Sequence, residues 1–163
     1  MKKLTLTPAA LLAKLAFAFV LTLALATLAP APAARAAEKG ATPAVISRGA
    51  EISLADNLVA GKITVFDFFS KYCPPCMTLS APLDQLHARR DGIAVVKIDI
   101  NRPDPAIKKP DLESPVARQF NLRTLPHFKI YGANGKLLFE GETAKNVLIK
   151  WLGAIGENPF NGW

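Results

Sequence analysis

Cysteine is scarce in this 163-residue chain: Cys73 and Cys76 are the only two. A zinc ribbon needs a second C-x-x-C pair, and there is none. Neither cysteine lies near the start, so a lipid-modified N-terminus is excluded. A structural staple is a poor reason for the pair, because a bridge across two intervening residues removes little entropy from the unfolded chain. Other soft metal ligands are also few. Met77 is the only methionine after Met1, and His87 and His127 are the only histidines. No basic run is longer than two residues, which argues against a stripe for nucleic acid.

Acidic residues are missing altogether from residues 1–36, which hold Lys2, Lys3, Lys14 and Arg35. Setting those four aside leaves sixteen basic and thirteen acidic residues, so the net charge of +7 falls to +3. The order within this segment is basic residues, an apolar run from Leu15 to Leu28, then small residues ending in Ala34-Arg35-Ala36. That order is the pattern of a secretory signal with an A-x-A cleavage site after Ala36. The apolar run is 14 residues, short of the roughly 20 that cross a bilayer. A retained anchor over residues 15–34, facing the periplasm, is the alternative.

The chain therefore divides into a signal segment (1–36), a flexible leader and N-terminal segment (37–57), a folded domain (58–156) and a tail (157–163). Ile63 to Phe69 is β-branched and aromatic with almost no polar interruption, the pattern of a strand buried on both faces. It runs directly into the cysteines. Leu79, Leu83 and Leu86 then repeat at helical spacing, with Pro75 suited to a first turn, so Cys73 falls where strand gives way to helix. Ile93 to Ile100 predicts a second buried strand. The proline-rich stretch 101–113 predicts a surface loop, and Ser114-Pro115 opens a short helix. Asn134-Gly135 marks a hairpin between Phe128–Tyr131 and Leu137–Glu140. Thr143 is the expected cap of a final helix with Val147, Leu148, Trp151, Leu152 and Ile155 on one face. The order predicts an α/β fold: a central mixed sheet with helices on both faces, closing on a hairpin and a helix.

Thiol–disulfide exchange needs a thiolate and a second thiol near enough to expel a mixed disulfide. At a helix N-terminus Cys73 gains from unpaired N–H groups, while Cys76 is shielded inside the first turn. Val65 to Cys76, with Cys73-Pro74-Pro75-Cys76 at its end, resembles the active-site strand and loop of the thioredoxin family. Tyr72 stands where that family usually has tryptophan. Arg123-Thr124-Leu125-Pro126 resembles its segment ending in a cis-proline, and Gly135 and Gly141 fall where it has hairpin and late-strand glycines. The resemblance covers about Leu58 to Leu152. Pro82 departs from it, lying six residues after Cys76 where the family has five.

The resemblance implies a thioredoxin-like fold and a thiol:disulfide oxidoreductase. Cys73 would attack, Cys76 resolve, and Tyr72, Pro74, Leu125 and Pro126 line the substrate groove. Asp67 would be the buried proton relay to Cys76, with Lys97 its charged partner. An Asp inside so apolar a strand is costly unless paired, and desolvation would raise its pKa toward a useful range. No cofactor, metal or nucleic acid is implied. The expected partners are exported proteins with disulfides or thiols and a membrane-embedded thiol electron donor, and the protein is expected to be a monomer. A proline before the second cysteine is commoner in reducing members, which favours a reductase over an oxidase or isomerase. The rival reading is a copper or other soft-metal carrier using Cys73, Cys76 and His127. Mass spectrometry of protein recovered from cells should find a chain beginning at Ala37; intact Met1 in the membrane fraction would establish the anchor instead.

Overall fold

The computed structural model describes residues 42–157; residues 1–36, where a signal is expected, residues 37–41 and residues 158–163 lie outside the described residues. The elements are β1 (Ala44–Ser47), a 3-10 turn (Ala55–Asn57), β2 (Ile63–Phe69), α1 (Pro74–Arg89), β3 (Ile93–Asp99), α2 (Pro115–Gln119), β4 (His127–Tyr131), β5 (Leu137–Glu140) and α3 (Gly141–Ala154). They build one sheet in the order β1-β3-β2-β4-β5. The first three strands run parallel, and β4 and β5 are antiparallel to their neighbours.

Alternation along the two central strands decides the layering. Val65, Val95, Phe128 and Ile130 point to one face, where Leu79, Leu83 and Leu86 of α1 and Ala144, Leu148 and Leu152 of α3 cover them. Phe66, Phe68, Val96 and Ile98 point to the other, against Val116 and Ala117 of α2. Each face thus gets its own apolar core, and a strand covered on both sides needs the near-continuous apolar run that Ile63–Phe69 supplies.

Two details differ from expectation. The pattern predicts no strand before Ile63, yet Ala44–Ser47 forms the edge strand β1. Its pairing with β3 starts at Ala44↔Val96, and Val45 is 57% exposed, so a four-residue edge strand carries little hydrophobic signature. Thr143 is not a cap: α3 begins at Gly141, straight out of β5. Gly141 has φ of 59°, a turn that glycine makes freely, and no connecting residue remains to serve as a side-chain cap. α1 is continuous through Pro82. Ser114 caps α2 as expected, its Oγ accepting from Ala117 N at 3.3 Å.

The loop 101–113 is tied across its base. Arg102 grips Asp111 with two hydrogen bonds, Nε to Oδ2 at 2.7 Å and Nη2 to Oδ1 at 3.2 Å, and Asn101 Nδ2 donates to Lys109 O at 2.8 Å.

His87, buried on α1, accepts the Val95 N–H on Nδ1 at 2.9 Å. β1 pairs with β3 only from Val96 onward, so the imidazole takes an N–H just short of that register. Burial, with Lys62 and Lys97 nearby, holds His87 below the ordinary imidazole value of 6.5. The unfolded chain therefore binds a proton here that the folded one resists, and stability falls as pH drops below 6.5. His87→Ala should cost about 1–3 kcal/mol by leaving the Val95 N–H without a partner. His87→Gln, which keeps an acceptor, should show a smaller loss of urea midpoint between pH 7.5 and 5 than the parent. An identical loss in both would show that His87 does not carry the acid dependence.

Candidate active site

β2 ends at Phe69, and a tight turn carries the chain into α1. Ser70, fully buried, holds that turn: its Oγ accepts from Tyr72 N at 3.1 Å and its carbonyl from Cys73 N at 3.0 Å. Cys73 is then the N-cap of α1, in extended conformation, with Sγ accepting from Cys76 N at 3.3 Å. Pro74 and Pro75 fill the first two helical positions and have no N–H to offer. The expected cluster of unpaired amides around Cys73 is thus reduced, in the first turn, to the one from Cys76.

The two cysteines are joined in a disulfide, with Cα atoms 5.3 Å apart. Their exposures differ less than expected, 5% for Cys73 and 2% for Cys76. The surroundings carry the access instead, since Lys71, Pro74, Pro75 and Met77 are exposed around them. The Leu125–Pro126 peptide is cis, as the sequence suggested, and both residues are half-buried. Tyr72 is half-buried too, with Lys71 Nζ 5.0 Å from its ring centre. Beside it, a cleft of about 460 Å³ runs between Arg48, Lys71 and Tyr72 and the loop residues Asn101, Arg102 and Lys108.

Asp67 is 2% exposed, and its Oδ1 has no hydrogen-bond partner. In register it lies between Lys97 on β3 and Phe128 on β4. Burial pushes its carboxyl up to about 7, with Lys97 pulling it down and Asp84 pushing it further up. Lys97 is not, however, its hydrogen-bonded partner. The ammonium turns to α1, where it meets Asp84 Oδ1 at 2.5 Å, Ser80 Oγ at 2.8 Å and Ser80 O at 3.3 Å. The expectation of a direct Asp67–Lys97 pair is corrected accordingly: adjacent strand positions bring the two side chains to one face, but the helix above supplies the better acceptors. Asp84 and Ser80 were missed in the sequence, although Cys76, Ser80 and Asp84 follow at i, i+4 and i+8 on a single helix face.

His127 is also placed differently. Its Nε2 lies 3.4 Å from Glu140 Oε1, which also binds Lys129 Nζ at 2.6 Å, and its ring stands edge-on to Phe68. Among the described residues no three or more His, Cys, Asp or Glu side chains are grouped to hold a metal.

The thioredoxin family model matches residues 51–154. The chain belongs to the thioredoxin family. Among curated relatives, thioredoxin H8 of Arabidopsis thaliana is 37% identical over 65 residues, covering 40% of this chain and 37% of the relative. Thioredoxin-T of Drosophila melanogaster is 29% identical over 86 residues, covering 52% and 48%. The matched part is less than half the length of either relative. Among solved structures, thioredoxin f2 of Chlamydomonas reinhardtii aligns with a TM-score of 0.48 at 18% identity, over 71% of this chain and 97% of that one.

Within this thioredoxin fold the buried carboxyl has a measurable cost. Folded Asp67 keeps its proton to about pH 7 and an unperturbed one only to 3.8, so the native state binds more protons in between. Stability then falls as pH rises across that window, by on the order of 4 kcal/mol in full. Lys97 keeps Asp84 and Ser80 when Asp67 is replaced, so no ammonium is left unpaired. Asp67→Asn should therefore be more stable than the parent at pH 8, with the difference closing toward pH 4. Urea denaturation at both pH values measures it; an equal difference at both would show that Asp67 is not desolvated.

Proposed function

We propose that this protein is a thiol:disulfide oxidoreductase of exported proteins, working through Cys73 and Cys76 and chiefly as a reductase. The observation that carries the reading is the Cys73–Cys76 pair at the start of α1, in a chain that matches the thioredoxin family model over the whole surrounding domain.

The Cys73 thiolate attacks one sulfur of a substrate disulfide, which releases one substrate thiolate and leaves a mixed disulfide. Asp67 takes the proton of the Cys76 thiol, directly or through water, and a carboxyl near pH 7 is suited to that exchange. Cys76 then attacks Cys73 Sγ. The second substrate thiol leaves, and two electrons have passed from the dithiol to the substrate. A membrane-embedded thiol donor returns the Cys73–Cys76 disulfide to the dithiol. Tyr72, Pro74, Leu125 and Pro126 line the groove for the substrate segment, and the cleft beside Tyr72 extends it toward the loop 101–113.

One feature supports the reducing direction. The redox potential follows how strongly the reduced thiolate is stabilised. Pro74 and Pro75 remove two of the amides that would otherwise stabilise it, which favours handing electrons on. Action on exported proteins is supported by the basic, apolar and small-residue order of residues 1–36.

Cys76→Ser should accumulate mixed disulfides with exported proteins, seen on non-reducing gels, and Cys73→Ser should accumulate none. Equal trapping by both would overturn the roles of attacker and resolver. Asp67→Ala should slow insulin reduction by roughly 10-fold or more at neutral pH, and unchanged turnover would remove Asp67 from the mechanism.

A further inference from the structure

Two carboxyls and a single ammonium meet where α1 packs on the sheet, Asp67 and Lys97 buried and Asp84 with a third of its side chain exposed. Asp67 lies on β2, Lys97 opposite it on β3, and Asp84 on the face of α1 above them. Lys97 is buried, so its charge is worth most to whichever acceptor it touches. It forms an ion pair with Asp84 and hydrogen bonds to both oxygens of Ser80, while Asp67 Oδ1 and Asp84 Oδ1 are both without a hydrogen bond and only Asp84 has the ammonium in contact. An Asp84 carboxylate and the Lys97 ammonium cancel each other. The buried Asp67 carboxylate beside that neutral pair has no counter-charge of its own and gains by keeping its proton.

We infer that Asp84, assisted by Ser80, is a positioning residue that withholds Lys97 from Asp67 and so keeps the Asp67 carboxyl protonated in the oxidised protein. Its consequence for turnover rests on the proton-relay reading of Asp67, but the clamp itself does not. The other groups around Asp67 leave the choice to Lys97 and Asp84. Register places Phe128 of β4 beside it, and α3 brings Ala144, Leu148 and Leu152 to the same core. Cys76 precedes Ser80 on the same helix face and is held in the disulfide. Toward the C-terminal end of α1, Lys62, Asp84 and Lys97 all bear on His87.

Without Asp84, Lys97 has Asp67 as its remaining carboxylate. Both the lost negative charge and the freed ammonium lower the Asp67 titration, which lies at about 7 in the parent.

The test is a carbon-13 NMR titration of the Asp67 side-chain carboxyl in the oxidised full domain, assigned by its disappearance in Asp67→Asn. Asp84→Asn should move the midpoint down by roughly one pH unit or more. Asp84→Glu, which keeps a carboxylate for Lys97, should restore most of the parent value. In a Lys97→Met background the effect of Asp84→Asn should be clearly smaller, because only the lost negative charge remains and there is no ammonium left to release. An unmoved midpoint in Asp84→Asn, or the same shift with and without Lys97, would overturn the inference, the second by showing that Asp84 acts only through its own charge. If Asp84→Asn does not fold, Ser80→Ala removes one of the Lys97 acceptors and should shift the midpoint in the same direction; no shift there overturns the clamp. The NMR midpoint is independent of catalysis. Unchanged insulin reduction in Asp67→Ala would therefore remove the relay while leaving the clamp to stand or fall on the titration.

Discussion

The pairing of β2 with β3 in the middle of the sheet is the constraint from which the rest of the site follows. Both strands are covered on both faces, so every side chain they carry is placed in a dry interior unless it sits at a strand end. Asp67 and Lys97 are opposite each other in that pair. Burying either alone would cost several kcal/mol, and burying them together makes each one's protonation depend on what packs above the sheet. That packing is α1, which is also the helix that carries both cysteines. The redox pair and the Ser80 and Asp84 groups that meet Lys97 thus share one helix.

The start of α1 is set by local chemistry. Ser70 closes the turn out of β2, Cys73 caps the helix, and two consecutive prolines begin it with fixed φ and no amides. Proline at the first helical position is favourable because its N–H would be unpaired in any case. Here the same substitution of ring for amide also changes the chemistry, since those amides would otherwise face the Cys73 sulfur. The same two residues thus set both the helix start and how many first-turn amides are offered to Cys73.

Around this centre, several polar groups are fixed by the sheet edges. His87 takes a β3 amide just short of where pairing with β1 begins, and Glu140 ties the first strand residue after the cis-proline to Lys129. The loop after β3 is closed at its base by Arg102 and Asp111, which makes it a wall of the cleft beside Tyr72. These contacts join residues far apart in the chain or on different elements, and each depends on the sheet being in place first.

The sequence alone was enough for the strand through Ile63–Phe69, the helix after it, the hairpin at Asn134-Gly135, the cis-proline and the cysteine pair at a helix start. These rest on signals that are local: an unbroken apolar run, leucines at helical spacing, turn residues with restricted φ, and a motif contiguous in the chain. The edge strand Ala44–Ser47 was not legible, because an exposed four-residue strand is defined by its partner and not by its own pattern. The start of α3 was misread for a related reason, since a glycine with positive φ replaced the capping residue that local rules expect. Asp67 and Lys97 could be marked as buried charges from their strands, but the acceptor chosen by Lys97 could not. That choice compares a carboxylate on a neighbouring strand with a carboxylate and a serine on a helix packed over it, a competition among distant groups that exists only once the helix has docked on the sheet.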